Sequence, residues 1–81
     1  MELTFYSDNS HGWLAVPVQH VKRLRVKVSR FSYKRDGMAY LEEDQDAGAF
    51  LAALEKAGES FVIHEIFING EAAIRTYPAY R

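Results

Sequence analysis

The chain contains no cysteine. Disulfides and thiolate metal sites are therefore excluded, and burial must hold the fold, aided at most by oligomerisation. No apolar run approaches the ~18–20 residues that span a bilayer, so no membrane contact is expected. The opening segment, Met1 to Asp8, carries no basic leader followed by an apolar stretch. It does not read as a signal peptide, and a cytoplasmic location is expected. There is no linker, internal repeat or low-complexity segment. Net charge is nearly absent too: −1 at pH 7 gives no overall pull towards nucleic acid. What is present is 48% hydrophobic and 14% aromatic residues. That suffices for one small globular domain over residues 1–81 and argues against disorder.

The charges are segregated. Lys22, Arg23, Arg25, Lys27, Arg30, Lys34 and Arg35 make seven of the ten basic residues, with no acid among them. Glu42, Glu43, Asp44 and Asp46 follow almost at once.

Hydrophobic periodicity divides the chain into elements. Leu3-Thr4-Phe5-Tyr6 alternates as a short strand, and Trp13 to Val16 reads as a second. Ser7 to Gly12 between them is turn material. Pro17 suits the first turn of a short helix whose apolar face is Val18, Val21 and Leu24. Asp36-Gly37 signals a type I′ hairpin, which sets Arg35 opposite Met38, Tyr33 opposite Tyr40, Phe31 opposite Glu42 and Arg30 opposite Glu43. Ala47, Phe50, Leu51, Leu54 and Ala57 mark an amphipathic helix, with Asp44 or Asp46 as its cap and Gly58 as its stop. Phe61 to Ile68 reads as a strand, and Asn69-Gly70 predicts a second hairpin returning through Glu71 to Tyr77. The expected class is α+β: a mostly antiparallel sheet built from two β-hairpins, with one well-formed amphipathic helix and one short helix on one face.

Few residues form a chemical constellation. His11, His20 and His64 lack metal-ligand spacing, so no metal is expected. No nucleophile motif or phosphate-binding glycine loop occurs, and so small a core leaves little room for a ligand pocket of ~300 Å³ or more. Neither an enzyme, a cofactor nor a small-molecule substrate is expected; Asp8, His11, Glu65 and five tyrosines supply ordinary acid–base material, and a small hydrolase centred on His11 or His64 is the alternative. Phe31 and Tyr33 among Arg30, Lys34 and Arg35 have the composition of a nucleic-acid surface. The hairpin register turns those aromatics away from Arg30 and Lys34. Trp13 reads as a core anchor.

The predicted last hairpin is more suggestive. One face would carry Val62, Ile66 and Ile68 with His64, Arg75 and Tyr77, too apolar for a solvated face. The expected partner-binding residues are therefore these six together with Lys22, Arg23, Arg25, Lys27 and Lys34. A protein partner or self-association is expected ahead of nucleic acid.

Several segments carry a resemblance: Ser7-Asp8, His11-Gly12-Trp13 through Val16-Pro17, Ser29 to Tyr33, Ala39 to Asp44, Asp46-Ala47, and Ile74-Arg75 with Tyr77. Over nearly its whole length the chain resembles small uncharacterised proteins encoded in bacteria and on phages and plasmids. The resemblance implies an accessory protein that binds a host or defence component. It transfers no catalytic residue.

Overall fold

The computed structural model describes all residues, Met1–Arg81. Five strands form one sheet: β1 (Glu2–Ser7), β2 (Gly12–Pro17), β3 (Tyr33–Arg35), β4 (Met38–Glu42) and β5 (Val62–Phe67). Helix α1 (Val18–Arg23) follows β2, helix α2 (Asp46–Lys56) follows β4, and a single 3₁₀ turn spans Ala73–Thr76. The strand order is β3-β4-β2-β1-β5. All pairings are antiparallel except β1 with β5, which run parallel. The α+β class and both helices are as the sequence indicates.

The middle strand, β2, is buried on both faces. Its alternation sends Leu14 and Val16 to one side, where Leu3, Val21, Ala39, Leu41, Ala47, Phe50 and Leu54 close the main core. Trp13 points to the other side and packs with Ala72 and Ile74, bordered by Tyr33, Tyr40 and Tyr77. Each strand of the centre thus serves two cores with its alternate residues.

The helix ends follow from backbone bonding. At the end of α1, Val26 N–H bonds to Val21 C=O at 3.1 Å and Arg25 N–H to Lys22 C=O at 3.1 Å. This is a Schellman stop with Arg25 in the left-handed region, at φ 55°. The end of α2 repeats it with Gly58, at φ 74°, and Glu59 N–H on Leu54 C=O at 3.0 Å. The start of α2 differs from the expected cap. Gln45 occupies the cap position with no side-chain bond. The Glu42 carboxylate reaches forward instead, accepting from Asp44 N–H and Asp46 N–H, both at 3.0 Å. Asp46 is buried and accepts from Ser29 N–H at 3.0 Å, from the Ser29 hydroxyl at 2.7 Å and from the Ser32 hydroxyl.

That carboxylate explains where the first predicted hairpin stops. Asp36 and Gly37 both have positive φ, 51° and 79°, and Arg35↔Met38, Lys34↔Ala39 and Tyr33↔Tyr40 pair as expected. Beyond Tyr33 the register ends. Ser29 and Ser32 are drawn to Asp46, so Arg30 does not reach Glu43. Phe31, expected to turn inwards, stands 73% exposed.

The second predicted hairpin does not form. Gly70 has φ 93°, but Asn69 has no positive φ, and a type I′ turn needs both. Residues after Gly70 cross under the sheet and bury Ala72 and Ile74 against Trp13. The Trp13 face needs a cover, and this segment supplies it. β5 pairs instead with β1, from Glu2↔Val62 to Ser7↔Phe67. Arg75 and Tyr77 therefore do not oppose β5, and β5 is an edge rather than a central strand.

Candidate functional site

The two edges of the sheet are treated differently. The β3 edge is covered by the chain's own tail. Lys34 N–H donates to Pro78 C=O at 2.9 Å, Tyr80 N–H donates to Ser32 C=O at 2.8 Å, and Tyr33 bridges Ala79. Lys34 Nζ also donates to the Arg81 carbonyl at 2.9 Å and lies 5.2 Å from the centre of the Tyr80 ring.

The β5 edge has no cover. All six of its residues are exposed, and strand order ends there. Val62 N–H bonds to Met1 C=O at 2.9 Å and Ile68 N–H to Ser7 C=O at 2.7 Å. Backbone groups of a strand alternate in direction across the sheet. Even-numbered residues thus point their N–H and C=O groups at β1, and Ile63, Glu65 and Phe67 point theirs outwards. Side chains alternate too: Val62, His64 and Ile66 lie on one face, and Ile63, Glu65 and Phe67 on the other. Val62 is 57% and Phe67 63% exposed. Sheet edges are ordinarily protected by lysine, proline, a bulge or a covering loop. The sequence Val-Ile-His-Glu-Ile-Phe contains no lysine or proline, and its pairing with β1 runs unbroken over six residues. Its polar side chains are His64, bonded to Glu2 at 2.7 Å, and Glu65.

The predicted partner-binding residues are only partly brought together. Val62, His64 and Ile66 share one face of β5. Ile68 and Tyr77 turn away to border the Trp13 cluster. Arg23 is held by both oxygens of Glu59, at 2.6 and 2.7 Å, across 36 positions of sequence. Arg35 pairs with Asp36 at 3.4 Å and lies 4.8 Å from the centre of the Tyr77 ring. Lys22, Arg25 and Lys27 remain exposed without a salt-bridge partner. Arg25 and Lys27 alternate with Val26 and Val28, which pack on the main core. The basic run is thus divided between internal pairs and a short solvated rim.

Sequence reasoning missed a clamp across 67 positions. Asp8, buried in the turn after β1, accepts from Arg75 Nε at 2.7 Å and from Arg75 Nη2 at 3.0 Å. It also accepts from the backbone N–H groups of Ala72, Ser10 and His11, at 3.0, 2.9 and 2.9 Å. Arg75 in turn touches His11 Nδ1 at 2.9 Å and lies 5.6 Å from the centre of the Trp13 ring. An open hollow of about 440 Å³ borders the clamp, between His11, Trp13, Phe31, Tyr33 and Asp44. It is larger than so small a core led one to expect. Two of its other lining residues are engaged within the fold: Arg75 with Asp8, and Glu42 with the start of α2. No group of three His, Asp or Glu side chains is placed to hold a metal ion.

The clamp has a pH signature. The Arg75 guanidinium first, then the Ala72 amide, hold the Asp8 carboxyl well below the ordinary carboxylate range, against the upward pull of burial. A depressed carboxyl stabilises the fold above its unfolded pKa of about 3.9 and loses that contribution as pH falls towards the folded value. The melting temperature of the wild type should therefore fall more steeply below about pH 4 than that of Asp8→Asn. The two curves should converge in acid, which a thermal-melting series would show.

A scan of known protein families finds no match to this chain, and neither do searches of curated proteins and of solved structures.

Proposed function

We propose that this is a non-enzymatic protein-binding module. It presents the edge of β5 to an extended segment of another polypeptide, which adds to the sheet as a further strand. The observation that carries this reading is the asymmetry of the edges: the tail covers β3, while six exposed residues of β5 leave Ile63, Glu65 and Phe67 with outward backbone groups. Main-chain hydrogen bonds would supply affinity, and alternate side chains on the two faces would supply specificity. The resemblance to small bacterial, phage and plasmid proteins extends the proposal to an accessory role, with a host or defence protein as partner. Nucleic-acid binding by residues 22–35 is less favoured, because Arg23, Lys34 and Arg35 are already engaged.

Peptide display against the immobilised protein tests the reading. Selected ligands should be extended segments with alternating apolar residues. Glu65→Pro removes one outward N–H and no bond to β1, so it should weaken them roughly tenfold or more, about 1.4 kcal/mol. Raising salt from about 0.05 to about 0.2 M should change that affinity little, whereas a phosphate-based complex would lose orders of magnitude. Tight binding of DNA or RNA at low salt that Lys22→Glu or Lys27→Glu abolishes would overturn the reading.

A further inference from the structure

We infer that the strand added to β5 is β5 of a second copy of this chain, running antiparallel and centred on His64. The inference rests on the strand-addition reading and names the occupant, with which a host or defence segment would compete for the same edge. Each chain has one uncovered edge, because residues 78–80 cover the other. A two-fold pairing of β5 with itself consumes the free edge of both copies, so growth stops at two rather than continuing as a fibre.

Geometry restricts the register. Two antiparallel edges related by a two-fold axis through the sheet keep each face on its own side. Even-numbered residues of one copy therefore oppose even-numbered residues of the other. The outward N–H and C=O groups belong to Ile63, Glu65 and Phe67, so the hydrogen-bonded pairs join odd-numbered residues. Two registers place the middle of the strand at the axis. Centring on Glu65 sets two carboxylates directly opposite each other, which is destabilising. Centring on His64 avoids that contact. Ile63 then opposes Glu65 of the second copy, twice, in hydrogen-bonded pairs. Val62 opposes Ile66 of the second copy, twice, on the other face. At the ends Phe61 meets Phe67 of the second copy. His64 meets its own counterpart at a non-hydrogen-bonded position, and each imidazole is flanked by the Glu2 carboxylate it already contacts. Thr4 is the register partner of His64 on β1, and Glu2 reaches the imidazole diagonally, so the paired imidazoles lie between two carboxylates. The segment Phe61 to Phe67 is thus complementary to itself, apolar on apolar at four of its side-chain contacts. The patch it covers includes the large exposed apolar residues Val62, Ile63, Ile66 and Phe67. An edge pairing of this length lies at the small end of specific interfaces, so the dimer should form in a concentration-dependent way.

Sedimentation equilibrium over a wide concentration range, combined with single-cysteine cross-linking, tests the inference. The wild-type mass should rise from 9.3 kDa towards twice that value. Glu65→Pro should hold it at the monomer mass, with an unchanged circular dichroism spectrum. His64→Cys places the chain's sole thiol at the axis, where non-hydrogen-bonded Cα atoms approach to about 4.5 Å. Oxidised glutathione should convert it to a disulfide dimer at least tenfold faster than it converts Glu65→Cys. Faster cross-linking of Glu65→Cys would overturn the register. A wild type at 9.3 kDa throughout would overturn self-pairing. In that case, display peptides that still depend on Glu65 keep the edge as a site for a different chain. Peptide binding indifferent to Glu65→Pro sinks the edge itself.

Discussion

Phe50→Ala is expected to remove about 3–5 kcal/mol of stability, the cost of a large buried ring and the cavity it leaves. Phe50 is fully buried and closes the main core with Leu14, Leu41 and Leu54. A domain of this length has roughly 4–12 kcal/mol in all, so this one side chain decides whether the fold survives mild denaturant. Urea unfolding checks it: the midpoint should drop by a few molar, at about 1 kcal/mol per molar, with the slope unchanged. Phe31 is the internal control. It is the same residue type, but 73% exposed, and Phe31→Ala should change stability by less than about 0.5 kcal/mol. A large effect at Phe31 would mean that the hollow it borders is closed by something in solution.

Asp46→Ala is the second large effect. The Asp46 carboxylate accepts three hydrogen bonds, two from Ser29 and one from Ser32. Removing it strands donors in a buried place, at about 1–3 kcal/mol for each group that water cannot reach. A total of about 2–5 kcal/mol is expected. The loss should also be local before it is global. Ser29 and Ser32 fix the connection between α1 and β3, and Val26 and Val28 of that connection lean on the main core. Amide hydrogen exchange should therefore rise first in residues 26–32, while β1 and β2 stay protected. Uniform exchange across the sheet would assign Asp46 to the core as a whole.

What could be read from residues alone was local. The period of α2, the alternation of β1 and β2, and the Asp36-Gly37 turn each depend on neighbours within a few positions, and each forms. The Asn69-Gly70 pair carries the same local signal and gives a different result. Its following segment is claimed by the buried Trp13 ring, which it covers, and by the Asp8 carboxylate, partners more than sixty positions away in the case of Arg75. No periodicity announces such a demand. The excess of apolar residues on a second face of Phe61 to Ile68 was legible, and Val62 to Phe67 are exposed. That β5 is an edge was not, because edge and centre are properties of strand order. A strand that pairs in parallel with residues sixty positions earlier leaves no turn motif. The basic run showed the same limit. Its composition suggested one surface, but the Arg23–Glu59 bridge and the tail bonds of Lys34 disperse it.

The parallel union of β1 with β5 also governs the order in which the protein can be completed. On a translating ribosome β1 emerges early, and its partner residues 62–67 follow about sixty residues later. At ordinary elongation rates of about 5–20 residues per second the delay is roughly 3–12 seconds. The hairpin of β1 and β2 can form within microseconds of its own emergence. Throughout the delay, then, the nascent chain displays the outer side of β1, with Leu3 and Phe5 alongside. The last strand does not abolish that open side. It moves it outward by one strand, from β1 to β5, so the chain offers a pairing edge from the emergence of β1 onward, and only the identity of the strand changes.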